Sequence, residues 1–382
     1  MVSTRIDVSV VIPAYRGAIN LSVLIPRLAA ALRRAALNGE IIVVDDFSDD
    51  GTDVLCASLS RSFPLHLLTR HEERGPASAV VLGLQQASGE ILVVMDADMS
   101  HPPEMVPKLV SACRSPSVDF AIGSRYSAGS SAGANWSLNS RVASFLARGL
   151  TAARDPLSGF FAVKRSTLKT AAELRQPGDK IGLETIVRCD CRRIVEVPIT
   201  FRNRVFGQSN RSLFEQRQYG RQLASLYQAK YPGLTRIIRF GLVGLSGAAV
   251  DLIGFSLLLL WAPLWFSRAT GIACATLWNF TWNRQITFRS AADTRVLRQL
   301  VTYFGATLLG AATNCSMTIL LCNSCRLFNT IPTLAGAIGA AAGAAVNFLL
   351  CRRWVFKESN AVRVDTDQVQ ASPASTANRR VA

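Results

Sequence analysis

The chain changes character near residue 236, and this change limits the possible folds more than any other feature. Residues 1–235 mix apolar and charged segments, whereas residues 236–358 consist mainly of apolar runs with few charges. Four of these runs, at residues 237–260, 264–282, 301–324 and 331–350, are close to the roughly 20 residues that a helix needs to cross a bilayer. Four such runs in succession are unusual for buried core helices. The sequence therefore predicts a soluble domain followed by a four-helix transmembrane domain at 236–358.

The distribution of basic residues predicts the orientation of these spans. Basic residues gather before the first span, between the second and third, and after the fourth: Arg236, Arg239, Arg284, Arg289, Arg295, Arg298, Arg352, Arg353 and Lys357. The other two loops carry only Arg268 and Arg326. Because cytosolic loops carry the excess of Lys and Arg, both termini and the middle loop are predicted to be cytosolic. Residues 1–7 contain no apolar stretch like a signal peptide, which agrees with a cytosolic soluble domain. We expect an integral membrane protein, in the plasma membrane if the source is bacterial or archaeal.

Composition predicts the character of residues 211–235 and 359–382 and the kind of partner that the chain binds. Residues 211–235 mix Leu, Phe and Tyr with Arg and Lys, which predicts an amphipathic helix at the membrane surface. A helix packed on the soluble domain is the alternative. Residues 359–382 are rich in Ser, Thr, Ala and Asn and are expected to be disordered. The formal net charge of +16 suits an anionic membrane surface. The chain has no zinc-finger spacing and no basic block interleaved with aromatic residues, so no nucleic-acid partner is expected.

Short apolar strands alternate with helices between residues 8 and 98. We predict strands at 8–14, 40–46, 65–70 and 90–98 and helices at 20–37, 52–62 and 76–87. This alternation is typical of a parallel sheet that is covered on both faces, and hence of an α/β fold. Tyr15, Asp45, Asp46, Asp96 and Asp98 lie at or just after strand ends. Because ligands of such sheets bind beyond the carboxyl ends of the strands, these side chains are expected to line one crevice.

Asp96-Ala97-Asp98 is the sharpest local feature of that crevice. If the fourth strand runs through these residues, the two carboxylates point to the same side. Such a pair suits Mg²⁺ or Mn²⁺, and the ion would neutralise a departing diphosphate. Two solvated acids in a turn are the alternative. The chain lacks a GxxxxGK[ST] loop and a GxGxxG motif after the first strand, which argues against ATPases and dinucleotide enzymes.

Seven blocks in the soluble domain carry a family resemblance. In order they are VSVVIPAY, IIVVDDFSDDGT, VVMDADMSHPPE, IGSRY, DPLSGFF, KIGLE and VEVPITFRNRVFGQS. Over roughly residues 6–230 the chain resembles glycosyltransferase family 2, and in particular its dolichol-phosphate mannose synthase branch. The resemblance implies a GT-A (Rossmann-like) nucleotide-sugar-binding domain at 1–210.

The resemblance also implies roles for individual residues. The nucleotide sugar would be bound by Pro13, Tyr15, Val44, Asp46, Asp96, Ala97, Asp98, Arg125, Arg204 and Asn210. The acceptor would be bound by Arg141, Ser144, Asp155, Ser158 and Gly159. A Mg²⁺ or Mn²⁺ ion would be held by Asp96, Asp98 and Ser100. Catalysis would depend on Asp98, Arg125 and Arg204.

Several positions depart from the family pattern. Gly17 stands where the family usually has an acid, and Ser100 stands where it often has a glutamine that binds the metal. Asn210 replaces a lysine, and we hypothesise that the adjacent Arg211 supplies the missing cation. The arginine expected to contact the acceptor phosphate aligns with either Ser140 or Arg141.

The apolar half contains an internal repeat. Asn279-Phe280 and Phe288 close the second run as Asn347-Phe348 and Phe356 close the fourth. This pattern resembles the GtrA-like family of four-span proteins, which is implicated in polyprenyl-linked sugar transfer, and it suggests two tandem hairpins. Asp251 lies inside the first span, where an acid is either functional or paired with a nearby polar group.

Together these features predict a function. We expect inverting transfer of a hexose, most simply mannose from GDP-mannose, to a polyprenyl (dolichyl) phosphate, giving a β-linked product. A phosphate monoester has a second pKa of about 6, so it needs no strong base, and His66, His71 and His101 receive no catalytic role. The alternatives are a UDP-glucose-dependent polyprenyl-phosphate glucosyltransferase and a lipid-sugar flippase or scaffold with a degenerate enzyme domain.

Overall fold

A seven-stranded mixed sheet forms the centre of the N-terminal unit. The computed structural model describes residues 5–71, 75–127, 138–168, 180–200, 213–289, 295–324 and 326–357. The chain divides into two units between Tyr231 and Pro232. The strands are β1 (Val8–Ala14), β2 (Gly39–Asp45), β3 (Leu65–Thr69), β4 (Ile91–Val94), β5 (Phe120–Ser124), β6 (Phe161–Lys164) and β7 (Ile194–Pro198). Their order is β3-β2-β1-β4-β6-β5-β7, with β6 antiparallel to both of its neighbours and the other adjacent pairs parallel.

Helices cover both faces of this sheet. They are α1 (Ala18–Arg34), α2 (Thr52–Leu59), α3 (Pro76–Gln86), α4 (Val106–Arg114), α5 (Leu138–Arg148), α6 (Ile181–Arg188) and α7 (Leu213–Lys230). Val8 and Val10 of β1 share one core with α1 and α4, whereas Val11 shares the other with α3 and α6. Alternate strand residues point to opposite faces, so the apolar run of β1 serves both cores. The predicted α/β fold is confirmed.

The fourth strand is shorter than predicted. We expected it to run to Asp98, but β4 ends at Val94, and the chain then turns. The Asp98 carboxylate accepts a hydrogen bond from the main-chain N–H of Ser100 at 3.0 Å, and such local bonds favour a turn over a strand. The expectation that Asp96 and Asp98 point to the same side because they lie on one strand was therefore wrong.

Helix α7 packs on its own unit. Leu223 and Leu226 are buried in a cluster with Ala147 of α5 and Leu183 of α6. The hydroxyl of Tyr227 donates a hydrogen bond of 2.8 Å to the carbonyl oxygen of Leu146 in α5. This contact agrees with the alternative interpretation of residues 211–235. Their position at a membrane surface stays a prediction.

The second unit consists of helices. They are α8 (Pro232–Leu258), α9 (Leu264–Trp282), α10 (Val296–Ser324), α11 (Arg326–Thr330) and α12 (Pro332–Leu350). Helix α8 packs along α9 and α10 packs along α12, which gives two hairpins. Among the described residues, three helical segments are long and apolar enough to cross a membrane: Pro232–Leu258, Val296–Ser324 and Pro332–Val355. The predicted span at α9 is not among them, so the fourth span stays a prediction.

The internal repeat of the sequence is also a repeat of structure. Phe288 and Phe356 occupy equivalent positions, and their rings stack with centroids 4.7 Å apart and planes 8° apart. Each ring follows one turn of π-helix, at Asn283–Thr287 and Cys351–Val355. Phe280, Tyr303 and Phe348 belong to the same buried cluster. The aromatic residues of the repeat therefore join the two hairpins to each other.

The acid in the first predicted span is paired. Asp251 Oδ2 lies 2.9 Å from Arg268 Nη1 of α9, and the Arg268 guanidinium also lies over the ring of Phe255. Pairing reduces the high cost of placing either charge in a bilayer. Of the two alternatives for Asp251, the structure shows the one with a nearby polar partner.

Glycines let α10 and α12 approach closely, and this packing is testable. A Cβ atom on Gly343 would overlap the carbonyl oxygen of Gly310 and would lie 3.0 Å from Cβ of Asn314. Because backbone atoms cannot move aside, Gly343→Ala is expected to destabilise the hairpin by about 1–3 kcal/mol. The measurement is the melting temperature of the purified protein in detergent. The matched control is Gly336→Ala on the same helix, where no described atom lies within 4 Å of the new Cβ. Equal melting temperatures for the two variants would contradict the prediction.

Candidate active site

Hydrogen bonds hold the loops after β1 and β2 together. The Ser48 hydroxyl donates to Asp45 Oδ1 at 2.5 Å and accepts the main-chain N–H of Arg16 at 2.7 Å. Asp50 Oδ2 accepts the N–H of Ala18 at 3.0 Å, at the start of α1. These bonds present Tyr15, whose side chain is exposed, at the carboxyl edge of the sheet.

Three residues at this edge have strained backbones. Arg16, Phe47 and Met99 follow β1, β2 and β4, and their φ angles are 52°, 53° and 64°. This left-handed region is costly for residues other than glycine, and such strain gathers at functional sites. Ala36 and Asp190, which precede β2 and β7 at the opposite edge, have φ angles of 51° and 50°, so backbone strain alone does not identify the ligand-binding edge.

Asp46 is held by a buried network. Its Oδ1 accepts a hydrogen bond of 2.8 Å from Arg70 Nε, and its Oδ2 accepts the N–H of Gly75 at 2.8 Å. Asp46 and Arg70 are both buried. The Val44 side chain is also buried, in the core beside α3, and Pro13 is half-buried in β1. A nucleoside contact by Val44 would therefore involve its main chain.

The turn formed by residues 96–101, named the DAD turn here, begins one residue after Met95, which follows the end of β4 at Val94. The Asp96 side chain is 45% exposed, and its main-chain N–H donates to Nδ1 of His101 at 3.1 Å. Ala97 and Asp98 are half-buried, whereas Ser100 is 1% exposed. The turn therefore presents its two carboxylates at the sheet edge and buries Ser100 and His101 beneath them.

His101 is a residue of the site that sequence reasoning missed. Its ring is 3% exposed and stacks on Phe160, with centroids 5.1 Å apart and planes 13° apart. Burial lowers the pKa of this imidazole, and Nδ1 accepts a hydrogen bond, so the ring is neutral with its proton on Nε2. The 3.8 Å approach of Asp96 Oδ2 to His101 Nδ1 is therefore not an ion pair. Its position three residues after Asp98 could have indicated that His101 belongs to the site. No sequence pattern indicated that its ring is buried.

The antiparallel strand β6 brings a second segment to the DAD turn. Phe161 of β6 pairs with Val94 of β4, so residues 155–160, named the DPLSGF loop here, reach the sheet at the edge where β4 ends. A Cβ atom on Gly159 would lie 3.2 Å from Asp96 Oδ2. The Ser158 hydroxyl donates to the carbonyl oxygen of Gly123 at 2.8 Å. The structure therefore places a predicted acceptor residue against a predicted metal ligand.

Arg125 and Asp155 form a bidentate ion pair at this edge. Arg125 Nε and Nη2 donate to Asp155 Oδ2 and Oδ1 at 2.7 and 2.6 Å, and the Asp155 side chain is fully buried. Glu196 of β7 accepts the N–H of Asp155 at 3.1 Å and the hydroxyl of Ser124 at 3.2 Å. Glu196 is a second residue that sequence reasoning missed, although it lies in the VEVP block. The pair joins a residue predicted to bind the donor to one predicted to bind the acceptor.

Other predicted residues lie outside what the structure describes. Arg204, Asn210 and Arg211 fall in residues 201–212, which are not described. Arg141 lies in α5, but its side chain is outside the described part. Ser144 of the same helix is buried.

The donor set at the DAD turn fits a hard divalent cation. Within the described residues, no third His, Cys, Asp or Glu side chain completes a metal-binding group with Asp96 and Asp98. Mg²⁺ commonly binds through one or two carboxylates, with phosphate oxygens and water in its other positions. Two carboxylates beside an open edge are thus sufficient when a diphosphate supplies further oxygens.

Comparison with known proteins assigns both units to families. Residues 9–170 match the glycosyl transferase family 2, and residues 239–356 match the family described as GtrA/DPMS, transmembrane domain. The chain is 38% identical to a dolichol-phosphate mannosyltransferase of Pyrococcus furiosus over 321 residues, which cover 80% of this chain and 88% of that protein. It is 37% identical to the dolichol-phosphate mannosyltransferase of Mycosarcoma maydis, over 58% of this chain and 80% of the relative. It is also 37% identical to that of Saccharomyces cerevisiae, over 62% of this chain and 92% of the relative.

The matches agree with the division of the structure. The first family covers β1 to β6, including the DAD turn and the DPLSGF loop, and the second covers the two helical hairpins. The similarity to the archaeal relative extends over most of both proteins. The chain is therefore a membrane glycosyltransferase that belongs to the dolichol-phosphate mannosyltransferases of glycosyltransferase family 2.

Proposed function

We propose that this enzyme transfers mannose from GDP-mannose to a polyprenyl phosphate, with inversion at the anomeric carbon. The observation that carries the proposal is the close approach of Gly159 in the DPLSGF loop to the Asp96 carboxylate, where an added Cβ would lie 3.2 Å from Oδ2. It supports a site in which the leaving group and the acceptor meet at one sheet edge. The names of the three relatives support mannose and a dolichol-type lipid, and they favour an enzyme over a scaffold.

The donor end of the site would use the DAD turn and the two bonded loops. Asp96 and Asp98 would hold a divalent cation, which neutralises charge on the departing nucleotide diphosphate. Tyr15 is exposed beside the loop that contains Asp46, and this arrangement supports a place for the nucleoside there. An exposed ion pair between Arg16 and Asp49, at 2.9 Å, also joins the same two loops.

The acceptor end has features that suit a lipid phosphate. A cleft of about 390 Å³ is lined by Tyr126, Arg148, Thr151 and Arg154, next to Asp155 in the chain. Arginine is well suited to phosphate because its planar group binds two oxygens at once. Helix α5, which ends at Arg148, exposes Val142, Phe145 and Leu146, and Phe145 is 71% exposed. An apolar helix face beside a basic cleft supports an acceptor with both a phosphate and an apolar chain.

The chemistry requires no strong base in this chain. The acceptor phosphate is largely ionised at neutral pH and acts as the nucleophile itself. His101 would not take a proton from it through Nδ1, because Nδ1 already accepts the N–H of Asp96. A single displacement by the phosphate oxygen at the anomeric carbon gives a β-linked product from an α-linked donor.

We also propose four spans with both termini in the cytosol. Helix α9 would be the second span, because it packs along α8 as a hairpin and its Arg268 is paired with Asp251. The basic residues near the start of α8, between α9 and the first turn of α10, and after α12 support this orientation.

A transfer assay with purified protein in detergent tests the proposed function. Labelled GDP-mannose and labelled UDP-glucose are each supplied with Mn²⁺ and with dolichyl or undecaprenyl phosphate. Labelled lipid is expected from GDP-mannose, in the β configuration, and excess chelator is expected to stop its formation. Product from UDP-glucose alone would overturn the choice of donor, and an α-linked product would overturn the inversion.

A further inference from the structure

We propose that His101 is a positioning residue: it fixes the DAD turn through the hydrogen bond that its Nδ1 atom accepts from the main-chain N–H of Asp96, and stacking on Phe160 orients the ring. This inference rests on the proposed role of Asp96 and Asp98 in holding a cation. It concerns a buried side chain that holds one of these acids by a hydrogen bond to the main chain of Asp96.

The first step concerns the main-chain N–H of Asp96. The last ladder bond of β4 runs from the N–H of Met95 to the carbonyl oxygen of Val11, at 3.1 Å. Beyond it the strand has ended, and β6 begins opposite Val94. The N–H of Asp96 donates instead to Nδ1 of His101 at 3.1 Å. A ring nitrogen thus replaces the strand carbonyl that would otherwise satisfy this group. It also sets the direction in which Asp96 leaves the sheet.

The second step concerns the position of the ring. His101 stacks on Phe160 with planes 13° apart, and its Cε1 lies 3.5 Å from where a Cβ on Gly159 would be. The ring therefore lies between the DAD turn and the DPLSGF loop. Because it is 3% exposed, it acts through these neighbours rather than on a bound substrate. Movement of the ring would shift the acid of one segment relative to the glycine of the other.

Two substitutions separate the hydrogen bond from the stacking. His101→Phe keeps a flat ring on Phe160 but removes the acceptor, whereas His101→Asn keeps an acceptor oxygen and loses the ring. The first readout is Mn²⁺ binding in the presence of GDP, followed by the electron paramagnetic resonance signal of free Mn²⁺. Loss of a group that orients a metal ligand typically weakens metal binding ten- to a hundredfold, so about this loss is expected for His101→Phe and less than about threefold for His101→Asn. The melting temperature is measured for both variants.

The outcomes distinguish a positioning role of His101 from a general loss of protein stability. They also distinguish failure of this inference from failure of the proposed mannose transfer. Wild-type Mn²⁺ affinity in His101→Phe would overturn the inference, as would equal losses in both variants that follow their melting temperatures. If His101→Phe does not fold, His101→Leu replaces it in the same comparison with His101→Asn. The binding readout needs no sugar transfer. A difference between the variants in a protein that fails to mannosylate lipid would therefore keep the positioning role and overturn the proposed function alone.

Discussion

Replacing Asp96 and Asp98 together by alanine is expected to lower kcat for mannose transfer by at least about a hundredfold, the loss seen when one preorganised charge-stabilising group is removed. The two acids lie in a turn beyond β4, and the Asp96 side chain is 45% exposed. Neither belongs to the buried core, so the variant is expected to fold. The rate should fall because nothing in the DAD turn then holds a cation against the diphosphate.

A control that removes two acids elsewhere makes this prediction specific. Glu90 precedes β4 and Asp190 precedes β7, so both lie toward the opposite edge of the sheet. Their side chains are exposed and pair with Arg5 and Arg192. The double variant Glu90→Ala with Asp190→Asn changes net charge equally and should keep its transfer rate. Similar losses in the two double variants would show that charge alone, and not the DAD turn, sets the rate.

Replacing Arg125 by methionine is expected to cost about 3–5 kcal/mol of stability, because it leaves a buried charge without its partner. The Asp155 carboxylate is fully buried. It accepts two hydrogen bonds from the Arg125 guanidinium and one from the main-chain N–H of Arg125. The matched control is Arg16→Met. It breaks an ion pair with Asp49 whose side chains are 59% and 71% exposed, and such pairs contribute at most about 1 kcal/mol. Melting of the full chain in detergent measures both effects.

A second substitution distinguishes loss of the pair from loss of the arginine. Arg125→Met combined with Asp155→Asn removes the buried charge and keeps an acceptor for the Arg125 N–H. We expect this double variant to be more stable than Arg125→Met alone. If it regains stability without regaining transfer, the Arg125–Asp155 pair has a role in transfer beyond holding this edge together. A double variant no more stable than Arg125→Met would show that the ion pair is not what holds this edge together.

The first strands could be predicted because their signals are local. Val8–Ala14 is an apolar run that only Ser9 interrupts, and its predicted limits match β1. The end of β4 could not be predicted in the same way, since apolar composition continues to Met95 while Asp98 bonds to the main chain of Ser100. Here a side chain competes with strand pairing, and hydrophobic periodicity does not report that competition.

The arrangement of the site depends on contacts between distant segments. The pairing of β6 with β4 brings Gly159 close to Asp96, although 62 residues (97–158) lie between them in the sequence. Arg125 with Asp155 and His101 with Phe160 are further examples. The family resemblance named most of these residues, but no spacing in the sequence indicated that predicted donor and acceptor residues would hold one another in place.

The helical unit shows both the strength and the limit of composition. The apolar runs correctly predicted long helices, and the repeat predicted that Phe288 and Phe356 are equivalent, as their stacking shows. The partner of Asp251 was left open, because the pair with Arg268 forms only when α8 and α9 pack together. A side chain's partner across a hairpin depends on helix rotation, which composition does not determine.

Binding of Mn²⁺ in the presence of GDP, measured by electron paramagnetic resonance on the purified full-length protein, tests the role of Asp96 and Asp98 most directly. The wild-type chain is expected to take up a single Mn²⁺ ion together with the nucleotide. A variant with both acids changed to asparagine should bind none at the same concentrations. Equal uptake by the two proteins would contradict the assignment of the cation to the DAD turn.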